Sequence, residues 1–343
     1  MSILDVSYRF FLNKARTGAV VYKLQTGVAV VCGDPLCEWT EIASVMDEFA
    51  NFRQRNHLDI AFMGASDAFA KGYAQCKGWT MIEFGTQRAL NPQTNTVLLG
   101  QAGKRIASQS RQLLNAQKGG IVLGVYTPAV HGTDFQLQAS LVAIYEAWRA
   151  ERNASAGLQA FITVYDLFAL PELMTFIYAQ SSGGLITGFA AIRQLGDGGY
   201  HLDPCIVAPG SPNGMTDLLV VAAMTLLRRA GVSSIGLGIE PSQSLSMENI
   251  VGIPGPVAKM ARKLYDQTIP HLPIHGKKAF HDKFRPDSSK TSALYLIFPS
   301  SVFGLRYLLA MIHLANIGLR KLLLADFKTR VSTGKSKSVV GHT

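Results

Sequence analysis

No run in this 343-residue sequence reaches the ~20 apolar residues that a membrane-spanning helix needs, so integral insertion is not expected. The opening MSILDVSYRFFLNKAR lacks the long apolar core of a signal peptide, and export is not expected either. There are four cysteines, Cys32, Cys37, Cys76 and Cys205, with neither CxxC spacing nor a pairing ladder. Lying in or beside apolar runs, they read as buried, reduced thiols of a cytosolic protein. His271 and His275 have ligand-like spacing, but Pro270 and Pro273 break the helix that would join them, so no metal site is expected.

Acids are outnumbered. Thirty-three Lys and Arg stand against 23 Asp and Glu, a net charge of +10, which favours a polyanionic partner: nucleic acid, an anionic membrane, or both. With 48% hydrophobic residues, the chain is long enough for two domains with cores of their own.

The richest stretch runs from Gly183 to Pro241. GLITGFAAIRQL and GYHLDPCIV read as antiparallel strands joined at Gly196-Asp197-Gly198-Gly199. PGSPNGM breaks the chain, and TDLLVVAAMTLLRRAG follows as a helix with Asp217 in its first turn and Gly231 past its end. SSIGLGIEP is the returning parallel strand. This order places Asp203 and Glu240 near the carboxyl ends of one sheet, where open α/β sheets bind ligands. A meander followed by a crossover resembles an acetyltransferase-type (GNAT) domain, which holds an acyl donor between two splayed parallel strands. The pyrophosphate loop of that fold, Arg or Gln followed by Gly-x-Gly/Ala, is missing: Pro209-Gly210-Ser211-Pro212-Asn213-Gly214 stands there, which argues against coenzyme A.

The first half repeats the strand, helix, strand logic. GAVVYKLQTGVAVVCGDP reads as a hairpin turning at Gln25-Thr26-Gly27. Ile42, Val45, Met46, Phe49 and Phe52 share one face of a helix, and HLDIAFMGA is the next strand. Residues 103–120 form a helix-length segment carrying Lys104, Arg105, Arg111 and Lys118 and no acid. It reads either as a solvated surface helix or as a phosphate contact. An amphipathic helix follows, with Leu137, Leu141, Ile144, Tyr145 and Trp148 inward. The expected boundaries are an N-terminal GNAT-like domain at 1–130, a catalytic GNAT-like domain at 131–300 and a helix with a basic tail at 301–343.

Gly33-Asp34-Pro35, Arg111-x-x-x-Asn115, Tyr145-Glu146-Ala147-Trp148, Leu202-Asp203, Pro212-x-Gly214-x-x-Asp217, Leu237-Gly238-x-x-Pro241 and Lys283-Phe284-x-Pro286 occur in order. Across most of residues 10–300, this series is similar to the soluble C-terminal domain of phosphatidylglycerol lysyltransferases and alanyltransferases. The resemblance implies an α/β fold of two tandem GNAT-like domains, with mixed sheets flanked by helices. It also implies movement of an amino acid from charged tRNA to a lipid hydroxyl. The chain further resembles a fungal branch, the ergosteryl amino-acid ester synthases, whose glycine-transferring version stands alone. That likeness implies glycyl transfer to ergosterol, with a phosphatidylglycerol aminoacyltransferase and a noncatalytic lipid- or RNA-binding protein as the alternatives. Ile206 stands where bacterial relatives carry Arg, a change that suits an acceptor without a phosphate. His281-Asp282-Lys283-Phe284 stands where they carry Lys-Glu-Lys-Phe.

An aminoacyl-tRNA ester is already activated, so exchanging its alcohol requires placement and charge but no cofactor. Asp203 or Glu240 would hold the donor's α-ammonium. His201 or Asp203 would take the proton of the acceptor hydroxyl, the two sharing one face of a strand by alternation. Lys283 would stabilise the oxyanion or hold the terminal phosphate of the tRNA. Asp217 and His281 complete the substrate-binding set. Lys104, Arg105 and Arg111, with Lys277, Lys278 and Arg285, would carry the tRNA. In the apolar segment after residue 300, Arg306, His313 and Arg320 recur every seven residues. This segment reads either as a helix in a membrane interface, reinforced by Lys328, Arg330, Lys335 and Lys337, or as a helix packed on the second domain. A cytoplasmic, peripherally membrane-associated protein is the expectation.

Overall fold

The computed structural model of the chain describes residues 5–154, 166–269, 275–299 and 304–315. In chain order the strands are β1 (Arg9–Leu12), β2 (Ala19–Gln25), β3 (Val28–Cys32), β4 (Asp59–Ser66), β5 (Thr80–Leu90), β6 (Val122–Tyr126), β7 (Met174–Gln180), β8 (Ile186–Gln194), β9 (Tyr200–Val207), β10 (Ile235–Pro241), β11 (Ile250–Val251) and β12 (Asp287–Phe298). The helices are α1 (Ile42–Arg55), α2 (Asp67–Phe69), α3 (Lys104–Leu114), α4 (Pro128–His131), α5 (Phe135–Ala154), α6 (Met215–Arg229), α7 (Gly255–Thr268), α8 (His275–Asp282) and α9 (Leu305–Leu314).

The strands form one mixed sheet in the order β1-β2-β3-β4-β12-β5-β10-β9-β8-β7-β6, with β11 on β5. The hairpin β2–β3 turns through Thr26 (φ 49°) and Gly27 (φ 74°), the left-handed pair that matches strand twist. Helix α1 then returns the chain to β4, parallel to β3, and buries Ile42, Val45, Met46 and Phe49 beneath the sheet. In the second half, β6–β9 form an antiparallel meander, and α6 leads from β9 to the parallel β10. Leu218, Leu219, Val220, Ala223, Met224 and Leu227 bury α6 against that sheet. Gly214 (φ 87°) precedes the helix and Gly231 (φ 75°) follows it.

Sheet pairing does not follow a cut near residue 130. Strand β6 precedes that position yet pairs with β7, whereas β12, late in the chain, inserts between β4 and β5. The eleven-residue β5 also pairs with β10, so the two halves share one hydrogen-bonded sheet.

Helix α9 packs on the first half. Ala310 and Met311 join the cluster of Val28, Val30 and Phe298, and Tyr307 and Leu314 pack against it. Arg306 reaches Asp59 Oδ2 at 2.7 Å and donates to the carbonyls of Thr26 and Gly27. Over residues 305–315 the helix is packed on the protein, but on the first half and not on the second domain as expected, with Arg306 a tether between α9 and the β2–β3 turn. Arg320, Lys328, Arg330, Lys335 and Lys337 lie outside the described residues, as do the side chain of His275 and all of His271. No helix among the described residues is long and apolar enough to cross a membrane. Cys76, expected to be buried, is exposed on the one-turn helix before Gly78.

Candidate active site at the strand split

Strands β9 and β10 pair for only two positions, Ile235 with Tyr200 and Gly236 with His201. Beyond these they part. Gly238 takes φ 78° as the register of β10 against β5 shifts between Gly236 and Ile239. On the other side, β9 bulges. Ala190 faces Cys205 and Ile192 faces Leu202, leaving Asp203 and Pro204 together opposite Ala191. Pro204 therefore sits at a bulge inside a strand, where its missing N–H costs no ladder bond.

The split opens a cavity of about 140 Å³ lined by Leu202, Asp203, Cys205, Val220, Leu237, Lys277, Phe280, His281 and Phe284. Neighbouring Leu202 and Asp203 both reach it because the bulge interrupts the alternation. His201 is outside the lining, contrary to a shared face with Asp203. Its ring packs against the two glycines of β10, and a Cβ on Gly238 would stand 3.4 Å from His201 Cε1 and 3.4 Å from Lys277 Nζ. Burial, reinforced by Arg193, Lys277 and His281, holds the His201 imidazole well below its usual range, in the neutral form.

The carboxylate of Asp203 accepts no hydrogen bond from the described residues. Burial raises its pKa above the ordinary carboxylate value, against the opposing pull of Lys277, Arg193 and His281. Cys205 beside it is pushed up to about 12 by burial, with the carboxylates of Asp203 and Asp217 adding to the effect. A thiol so protected is a poor nucleophile at neutral pH.

Glu240 is only 6% exposed and belongs to a second layer behind the cavity. Its Oε1 accepts from His281 Nδ1, and Arg88 Nη2 clamps it at 2.9 Å to Oε1 and 2.7 Å to Oε2. Arg88 Nη1 continues to Asp282 at 2.5 Å, and Lys278 Nζ closes on Asp282 at 2.9 Å. Burial disfavours the charge on Glu240, but the hydrogen bonds from His281 and Arg88 prevail and keep it below the ordinary range. An ionised carboxylate can only accept, so His281 Nδ1 is the donor. That leaves Nε2 as the ring nitrogen without a partner among the described residues, on a side chain that lines the cavity. Glu240, expected as a contact for the donor ammonium, instead has both oxygens engaged by the protein.

Lys283 Nζ lies 3.1 and 3.2 Å from the carboxylate oxygens of Asp217, which is buried in the first turn of α6, and over the ring of Phe280. Lys277, which lines the cavity, donates to the Ile239 carbonyl at 3.2 Å, whereas Lys278 is outside the lining and is held by Asp282. Lys104, Arg105 and Arg111 are exposed on α3, whose inner residues Ile106 and Leu113 join the α6 core. Helix α3 abuts the loop before α6, where a Cβ on Gly214 would meet Gln109 at 3.3 Å. Arg285 is exposed at φ 53°, its carbonyl within 3.4 Å of Asn95 Nδ2, which also bonds the Phe284 carbonyl at 2.7 Å. No group of three His, Cys, Asp or Glu among the described residues is arranged to hold a metal.

The family model described as "Phosphatidylglycerol lysyltransferase, C-terminal" matches residues 1–295. The chain belongs to that family. It is 22% identical over 249 residues to the lysylphosphatidylglycerol biosynthesis bifunctional protein LysX of Rhodococcus jostii, covering 72% of this chain and 21% of that one. The corresponding protein of Mycobacterium ulcerans is 23% identical over 247 residues, with the same coverage. This lysyltransferase-family chain thus spans about a fifth of the length of the curated relatives it matches. The solved structure of L-PGS from Bacillus licheniformis superposes with a TM-score of 0.65 at 16% identity, over 89% of this chain and 88% of the other. Its fold, a mixed sheet with flanking helices, is shared.

Two departures from the family now have positions. Ile206 is 5% exposed and packs with Phe189 and Tyr145 in the core cluster beneath α5, outside the cavity lining. The residue there does not face the cavity, so it gives no ground for an acceptor lacking a phosphate. His281 is the residue that faces it. Arg88 escaped the sequence reading; its signal was a lone arginine within the otherwise uncharged end of a long strand, FGTQRAL.

Proposed function

We propose that this protein transfers an aminoacyl group from charged tRNA to a hydroxyl of a phosphatidylglycerol-type membrane lipid. The observation that carries the reading is the cavity at the β9–β10 split, where Asp203, Lys277 and a carboxylate-backed His281 converge. The names of the relatives support a phosphatidylglycerol acceptor. Ergosterol as acceptor and glycine as the amino acid rested on the fungal resemblance, and the comparisons lend neither any support.

In this reaction the lipid hydroxyl oxygen attacks the ester carbonyl, and His281 Nε2 takes its proton. The acyl–oxygen bond to the tRNA ribose then breaks, and the proton passes to the departing ribose oxygen. One ester replaces another, so atoms and charge balance without ATP or a redox partner. The ionised form of Asp203 receives the α-ammonium of the amino acid. Lys277 stands beside the carbonyl oxygen as it becomes negative. Glu240 orients the imidazole and stabilises it once protonated, and Arg88 fixes Glu240.

The test is a reconstituted reaction with labelled aminoacyl-tRNA, glycyl and lysyl in separate arms, and vesicles containing either phosphatidylglycerol or ergosterol. Labelled phosphatidylglycerol that disappears on RNase treatment is the expected result. A labelled sterol instead would overturn the acceptor while preserving the transfer. Equal product from free amino acid with ATP would overturn the donor, and no labelled lipid in any arm would leave a binding protein.

A further inference from the structure

The outward face of helix α7 is apolar along its centre. At 100° per residue, Ala258 and Tyr265 define the inner side, where Tyr265 Oη donates to the carbonyls of Phe84 at 3.0 Å and Ser242 at 2.7 Å. On the opposite side lie Pro256, Met260 and Gln267, with Leu264 at the edge of that side. Met260 is 63% exposed and Leu264 39%. Lys259 and Lys263, both exposed, flank this line on one side. The single acid of the helix, Asp266, lies on the flank of Lys259 but is held by the protein, accepting from Leu245 N at 3.1 Å and Arg262 Nε at 3.4 Å. Val251 of β11, 46% exposed, precedes the helix in the chain.

We infer that α7 is a docking face for an anionic lipid surface. An exposed helix that only solvates the protein carries charges of both signs on its outer line. Here Pro256 and Met260 sit at the centre with Leu264 at one edge and Lys259 and Lys263 at the other, while the one acid is already held by Arg262. That composition suits the boundary between headgroups and acyl chains, where apolar side chains enter and lysines meet phosphate. RNA offers phosphates but nothing for Met260 and Leu264 to enter, so the apolar centre favours lipid over tRNA. The helix is also well placed. Through Tyr265 it is tied to Ser242, directly after β10, at the sheet end that holds Glu240, and the next helix in the chain, α8, supplies Lys277, Phe280 and His281 to the cavity.

The inference rests on the proposed lipid acceptor for its motive, but its test separates the two. The intact protein is sedimented with vesicles of phosphatidylcholine alone and with vesicles that also contain phosphatidylglycerol. Met260→Ser/Leu264→Ser and Lys259→Gln/Lys263→Gln variants are compared with it, their folding checked by thermal melting. Wild type should prefer the anionic vesicles; Lys259→Gln/Lys263→Gln should lower that partition about thirtyfold, since each lysine near an anionic surface is worth about 1 kcal/mol, and Met260→Ser/Leu264→Ser should lower it about tenfold through lost apolar burial. Transfer to a short-chain phosphatidylglycerol dispersed as monomers should be unchanged. Unaltered vesicle partition in both variants would overturn the docking face, whatever the activity. Loss of tRNA binding without loss of vesicle binding would overturn it in favour of an RNA contact. Absence of transfer by wild type, with vesicle binding intact and sensitive to the variants, would sink the proposed reaction and leave the surface standing.

Discussion

His281 and Glu240, separated by 41 positions in the chain, are joined through Nδ1 and Oε1. The bond links helix α8, which roofs the cavity, to the strand that forms one of its walls. Arg88 enters from β5 and holds the same carboxylate, so three elements distant in sequence fix one imidazole. In the proposed reaction that imidazole is the base, and Glu240 is a positioning residue that acts through it.

Glu240→Gln tests this division of roles. The amide keeps the size of the side chain but removes the charge that would stabilise a protonated imidazole. A general base typically contributes 10²–10⁴-fold, so kcat should fall by about 10²-fold with KM little changed. The limb of the pH–rate profile that reports the base should also move to lower pH. A purely structural Glu240 would lower the melting temperature and leave the profile where it was.

Asp203→Asn should separate stability from activity. Burial raises the folded-state pKa of Asp203 above its unfolded value, so the folded protein binds the proton more tightly. Stability from this group is fully present below the unfolded pKa and declines as pH rises through the raised one. The ionised form is thus disfavoured in the folded protein, a penalty that asparagine lacks. The variant should melt no lower than wild type at pH 7 and gain relative stability as pH rises, while transfer falls to background. Retained transfer would remove Asp203 from the reaction.

Much of the second half was legible from local signals. The Gly196–Gly199 turn, the α6 periodicity and the returning strand all stand where the pattern put them, because each depends on residues close in sequence. Two things were hidden. The bulge at Asp203-Pro204 depends on pairing with β8, and it breaks the alternation that would set His201 and Asp203 side by side. The insertion of β12 between β4 and β5 joins residues more than two hundred positions apart, beyond any periodicity in the chain. Arg88 was missed for the same reason, its partners lying on β10 and α8.

Gly238→Ala probes the split itself. The residue holds φ 78°, where a Cβ costs roughly 1–2 kcal/mol. The added methyl would also stand 3.4 Å from both His201 Cε1 and Lys277 Nζ. Chemical denaturation should show a loss of about that size, and Lys277 should be displaced enough to lower kcat. An unchanged midpoint would mean that β10 relaxes out of the left-handed conformation at no cost.

The basic face of α3 decides how the donor is held. Lys104 and Arg111 are exposed, and the only side-chain bond from either among the described residues is Arg111 Nε to the Ala107 carbonyl at 3.3 Å. The inner residues Ile106 and Leu113 anchor the helix to the α6 core without them, so Lys104→Ala/Arg111→Ala should fold normally. If both cations meet tRNA phosphates, each lost contact removes about 0.7–0.9 from the slope of log affinity against log salt. The double variant should therefore bind tRNA more weakly at low salt and show a slope shallower by about 1.5, with the two binding curves converging as salt is raised. Fluorescence titration across a salt series measures this directly. An identical slope would assign α3 to the solvated surface and leave Arg285, the cavity lysine Lys277 and its neighbour Lys278 as the remaining expected cationic contacts for tRNA.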